Sequence, residues 1–199
     1  MAGVSTPAMA AAVSEAGGLG SIAVGATDAA GAEALIADVR ERTTLPFYVT
    51  LFCHRPSQTN SEREGRWIDR FRPQFSEFGA HPPDSLAEIY LSFVENEDML
   101  GLLLRTRPPV VSFHFGLPRR QWIRSLREAG VVLLATATSL AEASAAAEAG
   151  VDAIVAQGWE AGGHRGMFDP DAHDERLHRD SAGARHGASP CGPAPRPIR

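Results

Sequence analysis

The chain has 199 residues, 44% of them hydrophobic and 22% charged, enough for a sizeable core and ordinary for a globular fold. Its net charge of −5 gives no reason to expect nucleic acid or an anionic membrane surface as partner. Two cysteines, Cys53 and Cys191, exclude a disulfide framework; no apolar run approaches a membrane span, and the first basic residue is Arg40, so a cytoplasmic location is expected.

Thr6 and Pro7 have the chemistry of an N-cap and a first helical residue, which predicts a helix over Ala8–Ala16 ended by Gly17. A strand over Leu19–Val24 follows, then a helix over Asp28–Arg42 that buries Leu35, Ile36 and Val39 at helical spacing. Phe47–Phe52 is β-rich. From Cys53 to Pro83 the pattern is polar and broken by prolines, so an excursion from the scaffold is expected, with a short helix near Trp67. Ser85 and Glu88 have capping-box spacing and predict a helix running to Leu104. Val110–Phe115 and Val131–Ala137 are strands around a helix over Gln121–Ala129. Ser139 and Glu142 form a second capping-box pair for a helix ending at Ala149, and Asp152–Gln157 closes the series.

Glu-Ala-Gly recurs at Glu15–Gly17, Glu128–Gly130 and Glu148–Gly150, each time between a helix and an apolar strand run. Such repeated helix stops point to βα units and a parallel sheet covered by helices. A fourth copy at Glu160–Gly162 does not fit the pattern. From His178 to Arg199 there are four Arg and four Pro with one large aliphatic residue, a composition that predicts a disordered tail.

The stretch of chemical interest starts where the last strand ends. After Gln157 come Gly158, Gly162, Gly163 and Gly166, with His164 and Arg165 between them. Glycine lets backbone approach a ligand, and histidine titrates nearest neutral pH. Two readings stand side by side: a site at the carboxyl end of a parallel sheet, or a surface turn with a solvated histidine. His114 interrupts an apolar strand, either as a barrel-lining residue or as a second polar group facing the His164 pocket. Asp169-Pro-Asp-Ala-His-Asp174 fails the EF-hand pattern, and no metal is assigned to His173, His178 or His186. Gly18-Leu-Gly20 is no dinucleotide fingerprint, and there is no credible Ser/His/Asp set.

Met1-Ala-Gly-Val-Ser-Thr-Pro7, Ala16-Gly-Gly-Leu-Gly-Ser-Ile22, Leu134-Ala-Thr-Ala-Thr138 and above all Ala156-Gln-Gly-Trp-Glu-Ala-Gly-Gly-His-Arg-Gly166 resemble the nitronate monooxygenases, formerly 2-nitropropane dioxygenases. The resemblance implies an FMN-containing TIM barrel that oxidises alkyl nitronates, in some cases nitroalkanes, with O₂ to a carbonyl compound and nitrite. Gln157 and Gly162 match flavin-contacting positions, Gly163 joins them as a cofactor-binding candidate, and His164 matches the active-site histidine. His114 and Arg165 become substrate-binding candidates, Arg165 by adding positive potential unless it faces solvent. Thr50 stands where the family commonly has a flavin-contacting asparagine.

The implied fold class is α/β: an incomplete TIM (β/α)8-type barrel of parallel strands without its first and last two strands. Residues 1–177 form the partial flavin-binding domain, and 178–199 are a tail unrelated to the family. Loops after the missing strands carry FMN phosphate contacts in the family, so weak FMN retention is expected. Open sheet edges predict self-association. A related FMN-dependent enoyl-acyl-carrier-protein reductase and a non-catalytic fragment or assembly partner are the rival readings.

Overall fold

A computed structural model describes residues 3–178. The chain divides into two compact units, one formed by the described parts of 1–55 and 90–199, the other by 56–89. In order, the elements are α1 (Pro7–Glu15), β1 (Gly20–Ala23), α2 (Ala29–Arg42), β2 (Phe47–Phe52), α3 (Ser61–Glu77), a 3-10 turn (Phe93–Glu95), α4 (Glu97–Thr106), β3 (Val110–His114), α5 (Arg120–Glu128), β4 (Val132–Ala137), α6 (Leu140–Ala149) and β5 (Ala153–Ala156).

The larger unit is an α/β sheet in the order β1-β2-β3-β4-β5, every neighbouring pair parallel. A doubly wound sheet reverses its strand order at a switch point. This one adds each strand beside the last, which is the arrangement of a partial (β/α)8-type barrel. Registered partners share a face. Ile22, Val49, Val111 and Leu133 make one buried row, and Leu51, Phe113 and Ala135 with half-buried Ile154 another. These rows pack against Ala10 of α1, Ile36 and Val39 of α2, Leu102 and Leu103 of α4, Ile123 and Leu126 of α5 and Ala146 of α6. The opposite face carries Thr50, Ser112 and Leu134 in one row and Phe52 beside His114 in the next, a mixed polar surface where the first face is wholly apolar.

Local chemistry explains the element ends. Thr6 caps α1 by accepting a hydrogen bond from the Met9 N–H, and Asp28 caps α2 through the Gly31 N–H. The three Glu-Ala-Gly stops behave alike. Gly17, Gly130 and Gly150 have φ of 85°, 87° and 95°. In each case the N–H after the glycine returns to a helix carbonyl: Gly18 to Val13, Val131 to Leu126 and Val151 to Ala146. A left-handed residue with this returning bond satisfies carbonyls the helix end leaves open.

The structure corrects the region between β2 and β3. No helix runs from Ser85 to Leu104; residues 85–92 are irregular, and α4 starts at Glu97 with Asn96 as its cap through the Met99 N–H. Leu86 and Ile89 are exposed, so no buried apolar face exists to hold a helix there, whereas Met99, Leu102 and Leu103 supply one. Within the smaller unit, α3 is 17 residues long where a short helix was expected, and it runs through Pro73. Asn60 caps it through the Arg63 N–H, and Glu64 returns a carboxylate oxygen to the Asn60 N–H. Trp67 and Phe71 stack edge to face along its exposed side at 5.0 Å. The expected disordered tail lies, apart from His178, outside the described residues. Among those described, no helix is long and apolar enough to cross a membrane.

Candidate active site at the carboxyl ends of the strands

The site begins with an unusual backbone. β3 ends at His114, and Phe115 then adopts φ of 66°, a left-handed conformation that is strained for an aromatic residue. Gly116 follows at φ 137°, where a methyl group would lie 2.6 Å from the Cys53 carbonyl oxygen. The Cys53 N–H donates to the His114 carbonyl at 2.8 Å, so the ends of β2 and β3 are stapled together. Burial pushes the Cys53 thiol pKa up, and no nucleophilic role attaches to it.

This turn throws the Phe115 ring across the strand ends. Its centroid lies 4.0 Å from the His114 ring, 5.3 Å from Phe52 and 6.3 Å from His164, the last an edge-on contact at 83°. The predicted histidines therefore meet at the carboxyl end of the sheet, with Phe115 between them. His164 is exposed, whereas His114 is half-buried. Desolvation lowers the pKa of His114 below its ordinary value, and the neighbouring His164 adds to the effect.

The glycine loop after β5 is held from several sides. Gln157 donates from Nε2 to the His164 carbonyl at 3.0 Å and accepts from the Gly166 N–H through Oε1 at 2.7 Å. Gly166 is packed so closely that a methyl group there would lie 2.7 Å from His114 Cε1 and 3.1 Å from Thr136 Cγ2. Gly162 and Gly163 are exposed at the crest, Gly163 with φ of 81°, and a methyl group on either would meet nothing within 4 Å. The loop thus pairs a rigid foot with an open crest.

Arg165 is half-buried. Its guanidinium makes a fork with Asp174, with Nε to Oδ2 and Nη2 to Oδ1 both at 2.9 Å. The same group donates to the Gln157 carbonyl at 2.7 Å and the Thr138 carbonyl at 3.3 Å. The Arg165 bonds, followed by the Arg176 backbone N–H, hold the Asp174 pKa down to about 2. Asp174 is thus an arginine partner. Asp169 likewise pairs with Arg55 at 3.3 Å, and the described residues hold no cluster able to bind a metal ion. His186 lies outside the described residues. Beyond Asp174 the backbone folds back, with the Trp159 N–H donating to the Leu177 carbonyl and Arg176 stacking over the Trp159 ring at 5.5 Å.

Thr50 sits on the mixed face of β2, registered with Ala23 and Ser112 and two residues before Phe52. Sequence reasoning did not single out Phe115, Thr136 or Glu142 as parts of this site. Glu142 carried one signal, its capping-box spacing, and half of that motif forms: Ser139 Oγ accepts from the Glu142 N–H at 3.2 Å. The carboxylate goes elsewhere, accepting from the Thr138 N–H at 2.7 Å, the Thr138 hydroxyl at 2.8 Å and the distant Phe168 N–H at 2.7 Å.

With this geometry in hand, similarity to known proteins is specific. The chain is 55% identical over 177 residues to a nitronate monooxygenase of Paraburkholderia phytofirmans, covering 89% of this chain and 48% of that protein. It is also 55% identical to a nitronate monooxygenase of Pseudomonas aeruginosa, covering 89% of this chain and 50% of that one. Among solved structures, nitroalkane oxidase from Streptomyces ansochromogenes superposes with a TM-score of 0.74 at 39% identity, over 85% of this chain and 47% of that chain. FabK from Thermotoga maritima superposes with a TM-score of 0.59 at 30% identity, over 84% of this chain and 41% of that one. The chain spans about half the length of the curated relatives it matches. The family model of nitronate monooxygenase matches residues 1–181, and the chain belongs to that family of oxidoreductases.

Proposed function

We propose that the chain carries the histidine-bearing half of an FMN-dependent nitronate monooxygenase site, with His164 as the group that handles the substrate's proton. The observation that carries this reading is the exposed His164 imidazole set edge-on to Phe115 at the strand ends, beside His114. The residues present suit the ring end of a flavin. Phe52 and Phe115 give an aromatic wall, Thr50 contributes a hydroxyl on the mixed sheet face, and the Gly162–Gly163 backbone is open to close approach. One Nε2 hydrogen of Gln157 remains beyond its bond to the His164 carbonyl and is available to a ring acceptor. Bound FMN would take electrons from the nitronate and deliver them to O₂, yielding a carbonyl compound and nitrite.

The chain's own work is positioning and proton transfer. A neutral His164 Nδ1 or Nε2 accepts the α-proton of a nitroalkane, and the resulting imidazolium then stabilises the nitronate oxygens. A second cation close by would oppose that protonation. His114 is biased toward its neutral form, so it leaves the pair free to hold a single charge. The Arg165 charge is neutralised by Asp174, so its part is to shape the loop.

The test is reconstitution with FMN, a flavin absorbance spectrum, and nitrite release from an alkyl nitronate or nitroalkane. His164→Asn is expected to retain colour and lose about 10²–10⁴-fold in turnover with the nitroalkane, whose proton must be abstracted. Turnover unchanged in that variant overturns the assignment. The rival reading is a related FMN-dependent enoyl-acyl-carrier-protein reductase. Oxidation of NAD(P)H with an enoyl thioester, without nitrite release, would select it. Among the described residues β5 pairs with β4 on one side and its residues are largely exposed, which favours self-association, and running the reconstitution on a sizing column reports that mass directly.

A further inference from the structure

We infer that Glu142, acting with the Arg165–Asp174 pair, is a positioning residue that braces the β4–α6 turn against the 164–168 backbone and so fixes the His164 imidazole beside Phe115. This rests on reading His164 as the proton-handling group. The need for a brace follows from the sequence. Gly162, Gly163 and Gly166 surround His164, and glycine-rich backbone loses more freedom than any other when one conformation is imposed. A histidine on such a loop holds a productive orientation only when surrounding groups restrain it.

The restraint is built around Thr138. Its N–H and hydroxyl both donate to Glu142 Oε2, while its carbonyl accepts from Arg165 Nη2. Glu142 uses its other oxygen, Oε1, to accept from the Phe168 N–H, 26 residues further along the chain. Arg165 ties the same turn to the Gln157 carbonyl and is itself forked to Asp174. Gln157 then closes the frame by bonding the His164 carbonyl and the Gly166 N–H. His164 is enclosed by bonds to its own carbonyl, its following residue and the residue after that. Its exposed ring then stands edge-on to Phe115, with centroids 6.3 Å apart.

The chemistry demands a carboxylate at position 142. Both oxygens accept from N–H donors, and a primary amide can present an oxygen to only one of them. Glu142→Gln is nearly isosteric, yet it must turn an NH₂ toward either Thr138 or Phe168. A simple capping residue would tolerate that change, because the Ser139 cap uses the Glu142 backbone.

Amide hydrogen exchange, followed by NMR on the full chain, reads the brace without any flavin. Glu142→Gln is expected to speed exchange at Gly166 and Phe168 by about tenfold or more, with Ala146 in the α6 interior changing by less than about twofold. Asp174→Asn is expected to give the same pattern at Gly166, and it carries the test should the first variant fail to fold. Glu148→Gln, an exposed change on the same helix, is the control and should move neither amide. In the reconstituted protein, Glu142→Gln should lower kcat for nitrite release and leave KM within about twofold. An equal rise in exchange across α6, or none at Gly166 and Phe168, overturns the inference. If the exchange pattern appears and His164→Asn leaves nitrite release unchanged, the brace stands and the reading of His164 as proton handler falls.

Discussion

β3 and β5 both deliver a histidine to the same end of one parallel sheet, and they do it by opposite means. β3 is hydrogen-bonded on both sides, with its first four residues buried, and its histidine is the last residue of the strand. The turn after it is set by backbone strain at Phe115 and Gly116. β5 has β4 as its neighbour among the described residues and is largely exposed, with Val155 at 44%. Its histidine lies eight positions beyond the strand end, on a loop whose backbone is held by the side chains of Gln157, Arg165 and Glu142. One imidazole is placed by the scaffold, the other by a frame of polar contacts. The scaffold-borne histidine resists change; the frame-borne one can be released by a single altered atom.

The largest effect should come from the scaffold side. Phe113→Ala empties a fully buried position in β3 and is expected to destabilise the fold by about 3–5 kcal/mol, whereas Val155→Ala in β5 should cost less than about 1 kcal/mol. Urea unfolding of the two variants measures the contrast, and similar midpoints would erase the distinction between the strands. Gly116→Ala comes next. Its methyl group would stand 2.6 Å from the Cys53 carbonyl oxygen in a left-handed backbone, and a loss of about 1–3 kcal/mol is expected. The comparison sharpens if this change also broadens the Phe115 and His164 ring signals in NMR spectra, since both depend on that turn.

The smallest effect is a pH dependence. His114 has its folded pKa below the ordinary 6.5, so in acid the unfolded chain binds more protons than the folded one. The stabilising contribution is therefore full above 6.5 and is lost as pH falls through the lowered value. Melting temperature should drop between pH 7.5 and pH 5 by more in the wild-type chain than in His114→Asn. Equal drops would mean that the β3 histidine is no more desolvated than an exposed one.

Much of the scaffold was legible because its signals are local. Pro7 after Thr6, the alternating Phe47–Phe52 run and the glycine stops each act within one turn or one strand, and the elements formed within a residue or two of expectation. Ser85 with Glu88 misled because capping spacing alone cannot hold a helix whose apolar residues stay exposed, while Asn96 had real buried partners at Met99, Leu102 and Leu103. Pro73 suggested a break, yet α3 continues through it. At the site, glycine density and His164 marked the loop. The partners of Arg165 and Glu142 were invisible because they lie nine and 26 residues away, a pairing set by the sheet's geometry. Phe115 left no trace at all, since a positive φ at phenylalanine is imposed by its surroundings and contradicts its own preference.

Gly166 has a consequence for anyone who would retune this loop. The space that a single methyl group would fill is already taken by the edge of one ring and the branch of a threonine. With no side chain at 166, the loop backbone rests directly against that ring and that threonine, which sets how closely it approaches the strand ends. Any side chain placed there would have to lift the backbone or displace one of those two groups.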